Sequence, residues 1–167
     1  MYLREAIAKI AGFRYMIDHL EIHSGLGRSS LLDRVWLEDA KQIKAELERV
    51  EKMVRVVRDS RNQVVLERLK VKLSQVKDIR GTVKRLKEPV VLDDLELFEM
   101  KNLAFVAEDI REIIKDYPVV DIPCLGNLVD LLDPEQNRIP HFYIYDSYSE
   151  KLSALRACLL YTSDAAD

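Results

Sequence analysis

Apolar residues recur along this chain at the spacing of helix faces. Between Glu5 and about Ile22, the residues Ala6, Ile10, Phe13, Ile17 and Leu20 are spaced 4, 3, 4 and 3, which is one stripe of an amphipathic helix. Ser24-Gly25-Leu26-Gly27 breaks the pattern, and a short segment from Ser29 to Leu37 carries the only tryptophan, Trp36. From about Asp39 to Val57 the same spacing returns in Ile43, Leu47, Val50, Val54 and Val57. Lys41, Lys44, Glu48, Arg49, Lys52 and Arg55 occupy its other faces, several at i,i+4 pairing distance. Asp59-Ser60-Arg61-Asn62 is a polar turn rich in N-cap residues. It opens a helix over about Gln63 to Val76, with Leu66, Leu69, Leu73 and Val76 in one row.

Lys77 to Leu86 is short and basic, and Pro89 ends it. Asp93-Asp94 then read as the cap of a long helix reaching about Tyr117. Its stripe is Leu103, Val106, Ala107, Ile110, Ile113, Ile114 and Tyr117, and Pro118 stops it. Val119 to Pro140 is mixed, with a short helix at Leu125, Leu128, Leu131 and Leu132 and a turn at Asp133-Pro134-Glu135. His141 to Tyr145 is aromatic and β-branched and reads as extended. Ser147 and Glu150 have capping-box spacing and predict a helix through Leu152, Leu155 and Arg156. The sum is an all-α chain: an irregular multi-helix bundle with one short extended segment near residues 141–145, its helical stripes expected to pack a core.

Composition narrows the chemistry. A chain of 167 residues with 48% hydrophobic and 33% charged residues is long and apolar enough for one folded domain. Only 5 glycines and 5 prolines suit long helices and disfavour glycine-loop enzymes. Two cysteines exclude a disulfide framework and a four-cysteine zinc site. The opening run carries Arg4, Glu5 and Lys9, unlike a signal peptide or membrane span, so the expected compartment is the cytoplasm. Residues 1–87 hold 20 Lys and Arg against 12 Asp and Glu, whereas residues 88–167 hold 6 against 17. The first part has the charge to face an anionic partner. Its basic stretch, Lys41 to Lys87, lacks the interleaved aromatics of single-strand binders and the motif of a helix-turn-helix, so it reads first as solvated helix surface.

Candidate reactive groups are few. No G-x-x-x-x-G-K-[ST] is present, so these residues cannot cradle a triphosphate in a P-loop. Gly25 and Gly27 lack the third glycine and the preceding strand of a dinucleotide site. His19 and His23 stand at i,i+4, but Glu21 between them gives H-x-E-x-H, and no third ligand stands out. Ser29 and Ser30 lack a nucleophile-elbow context. Cys124 reads as a small buried apolar residue. No catalytic, cofactor-binding or metal-binding residue is assigned, and nucleic-acid-binding residues are left open.

Read back through the genetic code, Cys158 to Asp167 can be encoded by a string that resembles the adapter of a transposase-based sequencing library. The native sequence is therefore expected to end near Ala157, with residues 158–167 a non-native read-through tail that interrupts the last helix.

The order of segments carries a resemblance. Ser24-Gly-Leu-Gly-Arg28-Ser-Ser-Leu-Leu-Asp-Arg34, a helix pair, and Val76-Lys-Asp-Ile-Arg-Gly-Thr-Val-Lys-Arg-Leu86 leading to a long helix resemble the core (lever) domain of the MutS family. The run Phe142-Tyr-Ile-Tyr-Asp146-Ser-Tyr-Ser-Glu-Lys-Leu152-Ser-Ala-Leu-Arg156 is similar to the segment that begins the family's clamp arm. The resemblance spans about residues 3–157 and is nearest to relatives lacking the mismatch-reading domain, whose aromatic wedge is absent here. It implies an incomplete, non-catalytic core over residues 1–157, coupling a DNA clamp to a C-terminal ATPase that lies outside this sequence. For the parent protein it implies DNA mismatch repair or action on branched DNA, ATP and Mg as cofactors, and a homodimer, with no membrane. The competing reading is a self-contained helical protein-interaction module, an adaptor or scaffold. A small helical enzyme is a third, and it requires a buried polar cluster that spacing does not reveal.

Overall fold

A computed structural model describes residues 2–117 and 120–164. Among these residues there are nine α-helices: α1 (Leu3–Lys9), α2 (Ala11–Asp18), α3 (Gly25–Leu32), α4 (Ala40–Arg58), α5 (Gln63–Ser74), α6 (Arg80–Arg85), α7 (Asp94–Ile114), α8 (Gly126–Leu132) and α9 (Glu150–Asp164). Two 3-10 turns, Ser60–Asn62 and Asp146–Tyr148, complete the helical structure. The described residues hold no strand ladder, only an isolated antiparallel bridge between Tyr2 and Val35. The all-α class expected from the stripes is the class observed. No described helix is long and apolar enough to cross a membrane.

The chain divides into two compact units: Met1–Asp78 with Val106–Pro123, and Ile79–Phe105 with Cys124–Asp167. In the first unit, the helix expected over Glu5 to Ile22 is two helices. Ile10 is extended (φ −122°, ψ 107°), and its carbonyl accepts the Phe13 and Arg14 amides that open α2. A β-branched residue two positions before Gly12 is a weak point in a helix. Leu3 meanwhile donates its amide to the Arg34 carbonyl at 2.9 Å, anchoring α1 outside its own helix.

Ser24-Gly-Leu-Gly27 does not interrupt structure but starts it. The Gly27 amide donates to Ser24 Oγ at 3.0 Å, the N-cap of α3, so this helix begins four residues before Ser29. A Cβ on Gly27 would lie 2.8 Å from Ser24 Oγ, so a larger residue there would require the capping hydroxyl to shift. Trp36 follows α3 and meets Phe13 edge-on, with ring centroids 5.4 Å apart.

Asp39 caps α4, accepting the Gln42 amide at 3.2 Å. The apolar stripe of α4 does not pack a core: Leu47 is 63% exposed and Val50 57%. Met53 and Val56 are the half-buried side chains of its last turns, and they line an apolar cavity with residues of α5 and α7. Leu66, Leu69 and Leu73 of α5 and Ile110 and Ile114 of α7 line the same cavity, as their sequence rows predict. Two polar links fasten these helices. Lys72 pairs with Asp109 at 2.7 Å. Asn62 accepts the Tyr117 hydroxyl at 2.7 Å and donates its amide to the Val56 carbonyl at 2.9 Å.

In the second unit, α7 starts with a reciprocal cap: the Glu96 amide donates to Asp93 Oδ1 at 2.7 Å and the Asp93 amide to Glu96 Oε2 at 3.1 Å. Arg85, at the end of α6, pairs with the same Glu96. α7 ends at Ile114, three residues short of the expected Tyr117. Pro118, read as its stop, and Val119 lie outside the described residues. His141 to Tyr145 are non-helical and make no strand pairing, with Tyr145 extended at φ −73°, ψ 151°. The hydroxyl capping α9 is Ser149, which accepts the Leu152 amide at 3.4 Å; Ser147 sits inside the preceding 3-10 turn. α9 then passes through Cys158 to Asp164 without the interruption expected there, and residues 165–167 lie outside the described part.

Candidate functional site

The polar centre of the second unit is built from three side chains with no solvent exposure: Lys101, Asp133 and Tyr145. Lys101 stands on α7 three residues before the buried Ala104, so helical geometry turns it to the buried face. Asp133 is the C-cap of α8, and Tyr145 precedes the Asp146–Tyr148 turn. The Tyr145 hydroxyl donates to Asp133 Oδ1, and the Arg138 amide donates to Asp133 Oδ2 at 2.9 Å. Lys101 Nζ donates to the His141 carbonyl at 2.8 Å and lies 4.0 Å from Asp133 Oδ1. Around this centre, Tyr148 donates its hydroxyl to the Leu131 carbonyl at 2.7 Å, and the Arg138 guanidinium lies 4.8 Å from the centre of the Phe105 ring. Arg156 donates to the Ile144 carbonyl at 2.8 Å and pairs with Asp146.

Asp133 organises the chain that follows it. Its carbonyl accepts the Gln136 amide and its carboxylate the Arg138 amide, each at 2.9 Å. Gln136 (φ 54°) and Arg138 (φ 48°) are held in the left-handed region, which costs a non-glycine residue about 1 kcal/mol or more. Local strain of this kind persists where surrounding bonds fix the backbone, and here they are bonds to the main-chain carbonyl and the buried carboxylate of Asp133.

Electrostatics follows from the burial. Burial pushes the Lys101 ammonium below the usual lysine value of 10.5, against the pull of Asp133. Burial pushes Asp133 up, but the Tyr145 hydroxyl, the Arg138 amide, the Lys101 charge and the Asn137 amide outweigh it and hold the carboxyl below 3.8. Burial raises the Tyr145 hydroxyl above its ordinary 10.0, reinforced by its hydrogen bond and by the Asp133 charge. As pH falls, an unfolded Asp133 takes up its proton first, so this carboxylate's contribution is complete above pH 3.8 and is lost below it. As pH rises, an unfolded Tyr145 releases its proton first, so its contribution is complete below pH 10.0 and lost above it. Lys101 acts in the opposite sense: the folded ammonium releases its proton first, which adds stability as pH approaches 10.5. Tyr145→Phe is therefore expected to lower stability by about 1–3 kcal/mol at neutral pH and to lose less than the parent between about pH 9 and 11. Melting temperature against pH for the two proteins checks this, and parallel alkaline limbs would contradict it.

Chemically, the cluster holds charge in a dry interior. Every buried side-chain nitrogen and oxygen among the described residues has a partner. With Lys101, Asp133 and Tyr145 all closed to solvent, the bonds of Lys101 to the His141 carbonyl and of Asp133 to the Arg138 amide position the backbone.

The other candidates fall elsewhere. His19 ends α2, with Nδ1 2.7 Å from the Tyr15 carbonyl and its ring against Tyr15. His23 lies beyond α2 in non-helical chain, so the two imidazoles do not share a helix face. Among the described residues, no group of three His, Cys, Asp or Glu side chains has the geometry of a metal site. Cys124, expected to be buried, is exposed, as is Cys158. Ser29 and Ser30 lie within α3. In the basic stretch, several cations are held by neighbouring acids: Arg49 by Glu46, Arg55 by Glu51, Lys70 by Glu67. Arg61 grips Asp59, holding that carboxyl at about 2. The polar cluster escaped sequence reasoning because its members lie 32 and 12 residues apart. One signal was available: a lysine falling on the buried face of the long helix. No family model matches the chain, and no curated protein or solved structure is significantly similar to it.

Proposed function

We propose that residues 1–157 form part of the helical core of a MutS-like DNA-repair ATPase, non-catalytic in themselves. In this reading they relay conformational change between a DNA clamp and a C-terminal ATPase encoded further along the gene. The observation that carries it is the open apolar stripe of α4, with Ile43, Leu47, Val50, Val54 and Val57 all exposed on a 19-residue helix. A face this regular is a packing surface, and the resemblance supplies a reason for it to be open: helices that complete such a core come from later sequence. The closed, hydrogen-bonded state of the Lys101–Asp133–Tyr145 cluster favours a mechanical over a catalytic role. Coupling of this kind depends on packed elements with discrete alternative arrangements, not on a reactive centre. DNA, ATP, Mg and a homodimeric state belong to the parent protein in this reading.

The test is the gene beyond the codon for Ala157. The expected result is a further helical segment followed by a G-x-x-x-x-G-K-[ST] motif. A reading frame that closes without a nucleotide-binding motif would overturn the assignment and leave the helical adaptor as the better reading.

A further inference from the structure

We propose that the open apolar face of α4 is the contact surface for a second copy of this chain, the two α4 helices packing antiparallel through their stripes. Ile43, Leu47, Val50, Val54 and Val57 all stand exposed on a 19-residue helix. Their 4, 3, 4, 3 spacing is that of a coiled-coil seam, with Leu47 and Val54 at a and Ile43, Val50 and Val57 at d. A seam of this kind is self-complementary, because the same row of knobs and holes meets itself across a two-fold axis. The inference goes beyond the MutS-like reading and does not rest on it. It concerns this chain, and helices from later sequence would compete with the second copy for the same face.

The charges beside the seam select the orientation. Lys44 and Glu51 flank it on one side, at e, and Glu46 and Met53 on the other, at g. Antiparallel packing brings e against e and g against g. With Leu47 opposite Val50, Ile43 meets Val54 and Ala40 meets Val57, each layer occurring twice. Lys44 then faces Glu51 of the second copy on both sides of the two-fold axis, and Glu46 faces Met53. Slipping one heptad either way sets Lys44 against Lys44 or Glu51 against Glu51. Parallel packing sets Glu46 against Glu51 twice, and its favourable pairing, Lys44 with Asp39, uses the carboxylate that already caps α4. Glu51 is held by Arg55 at 2.6 Å with its side chain 63% exposed, so it has room for a second cation. A helix of this length spans about 28 Å, which places the pair at the small end of specific interfaces. A weak dimer follows, with a dissociation constant on the order of 10–100 µM.

Sedimentation equilibrium of the full chain from about 1 to 500 µM measures this, and a monomer–dimer equilibrium within that range is expected. Leu47→Glu, at a residue 63% exposed, is expected to weaken the dimer at least about tenfold and to leave the far-UV circular dichroism of the dilute monomer unchanged. Lys44→Glu and Glu51→Lys each turn two attractive pairs into two repulsive ones, and each alone is expected to weaken the dimer at least about tenfold. Mixed in equal amounts, these two variants regain opposite charges at both sites, and association close to the parent's strength is expected. A chain that stays monomeric throughout the range would overturn the proposal, as would a dimer unchanged by Leu47→Glu. Charge variants that associate no better mixed than apart would overturn the antiparallel pairing.

Discussion

Lys101→Met is expected to remove about 3–5 kcal/mol of stability, the usual loss when one partner of a buried charge pair is deleted. The loss has two sources. The His141 carbonyl gives up the ammonium donor held at 2.8 Å, and Asp133 keeps a negative charge in an interior with no cation beside it. The Tyr145 hydroxyl and the Arg138 amide still serve Asp133, which places the effect toward the lower end of that range. Adding Asp133→Asn removes the uncompensated charge while keeping an acceptor, so the double variant is expected to be more stable than Lys101→Met alone. Urea denaturation followed by circular dichroism measures both. A single-variant loss under about 1 kcal/mol, or a double variant less stable than the single, would show that charge pairing does not govern this centre.

Ile110→Ala is expected to cost about 2–5 kcal/mol, because Ile110 is 7% exposed and already borders an apolar void that truncation enlarges. Leu47→Ala, taken from a stripe of the same spacing on α4, is expected to change the stability of the dilute monomer by no more than about 0.5 kcal/mol. Leu47 is 63% exposed, so truncation removes little buried surface. The pair of variants separates pattern from packing. Equal losses at the two positions would place α4's stripe in a buried environment and contradict the arrangement described here.

That contrast marks what is legible in a single sequence. The extents of α4, α5 and α7 follow from residues that act locally: Asp39 and Asp93 as caps, and leucine, isoleucine and valine at helical spacing. The 4, 3, 4, 3 stripe cannot say whether its face is covered, because covering depends on segments far away in sequence. The stripe from Ala6 to Leu20 predicts one continuous helix because periodicity is blind to one extended residue, Ile10. The glycines at 25 and 27 suggest a break by their usual backbone freedom, but the N-cap that Ser24 provides makes them the start of a helix. Ser147 and Ser149 both offer a hydroxyl, and only the intervening 3-10 turn selects Ser149. The Lys101–Asp133–Tyr145 centre lay beyond reach for the same reason as α4's exposure. Its chemistry comes from three separated segments, and lysine and aspartate are ordinarily surface residues.

The interleaving of the two units has a consequence for synthesis. Each is assembled from two stretches of chain, so Met1–Asp78 leaves the ribosome before Val106–Pro123, the stretch that completes its unit. The apolar rows of α5 must wait for Ile110 and Ile114 across an intervening segment of the other unit. Neither unit can finish by local closure, and the contacts that lock each are of high sequence separation, a topology that slows folding. Once Asp78 has emerged from the ribosome, and until Ile110 and Ile114 follow, the leucines of α5 lack the residues that complete their apolar lining.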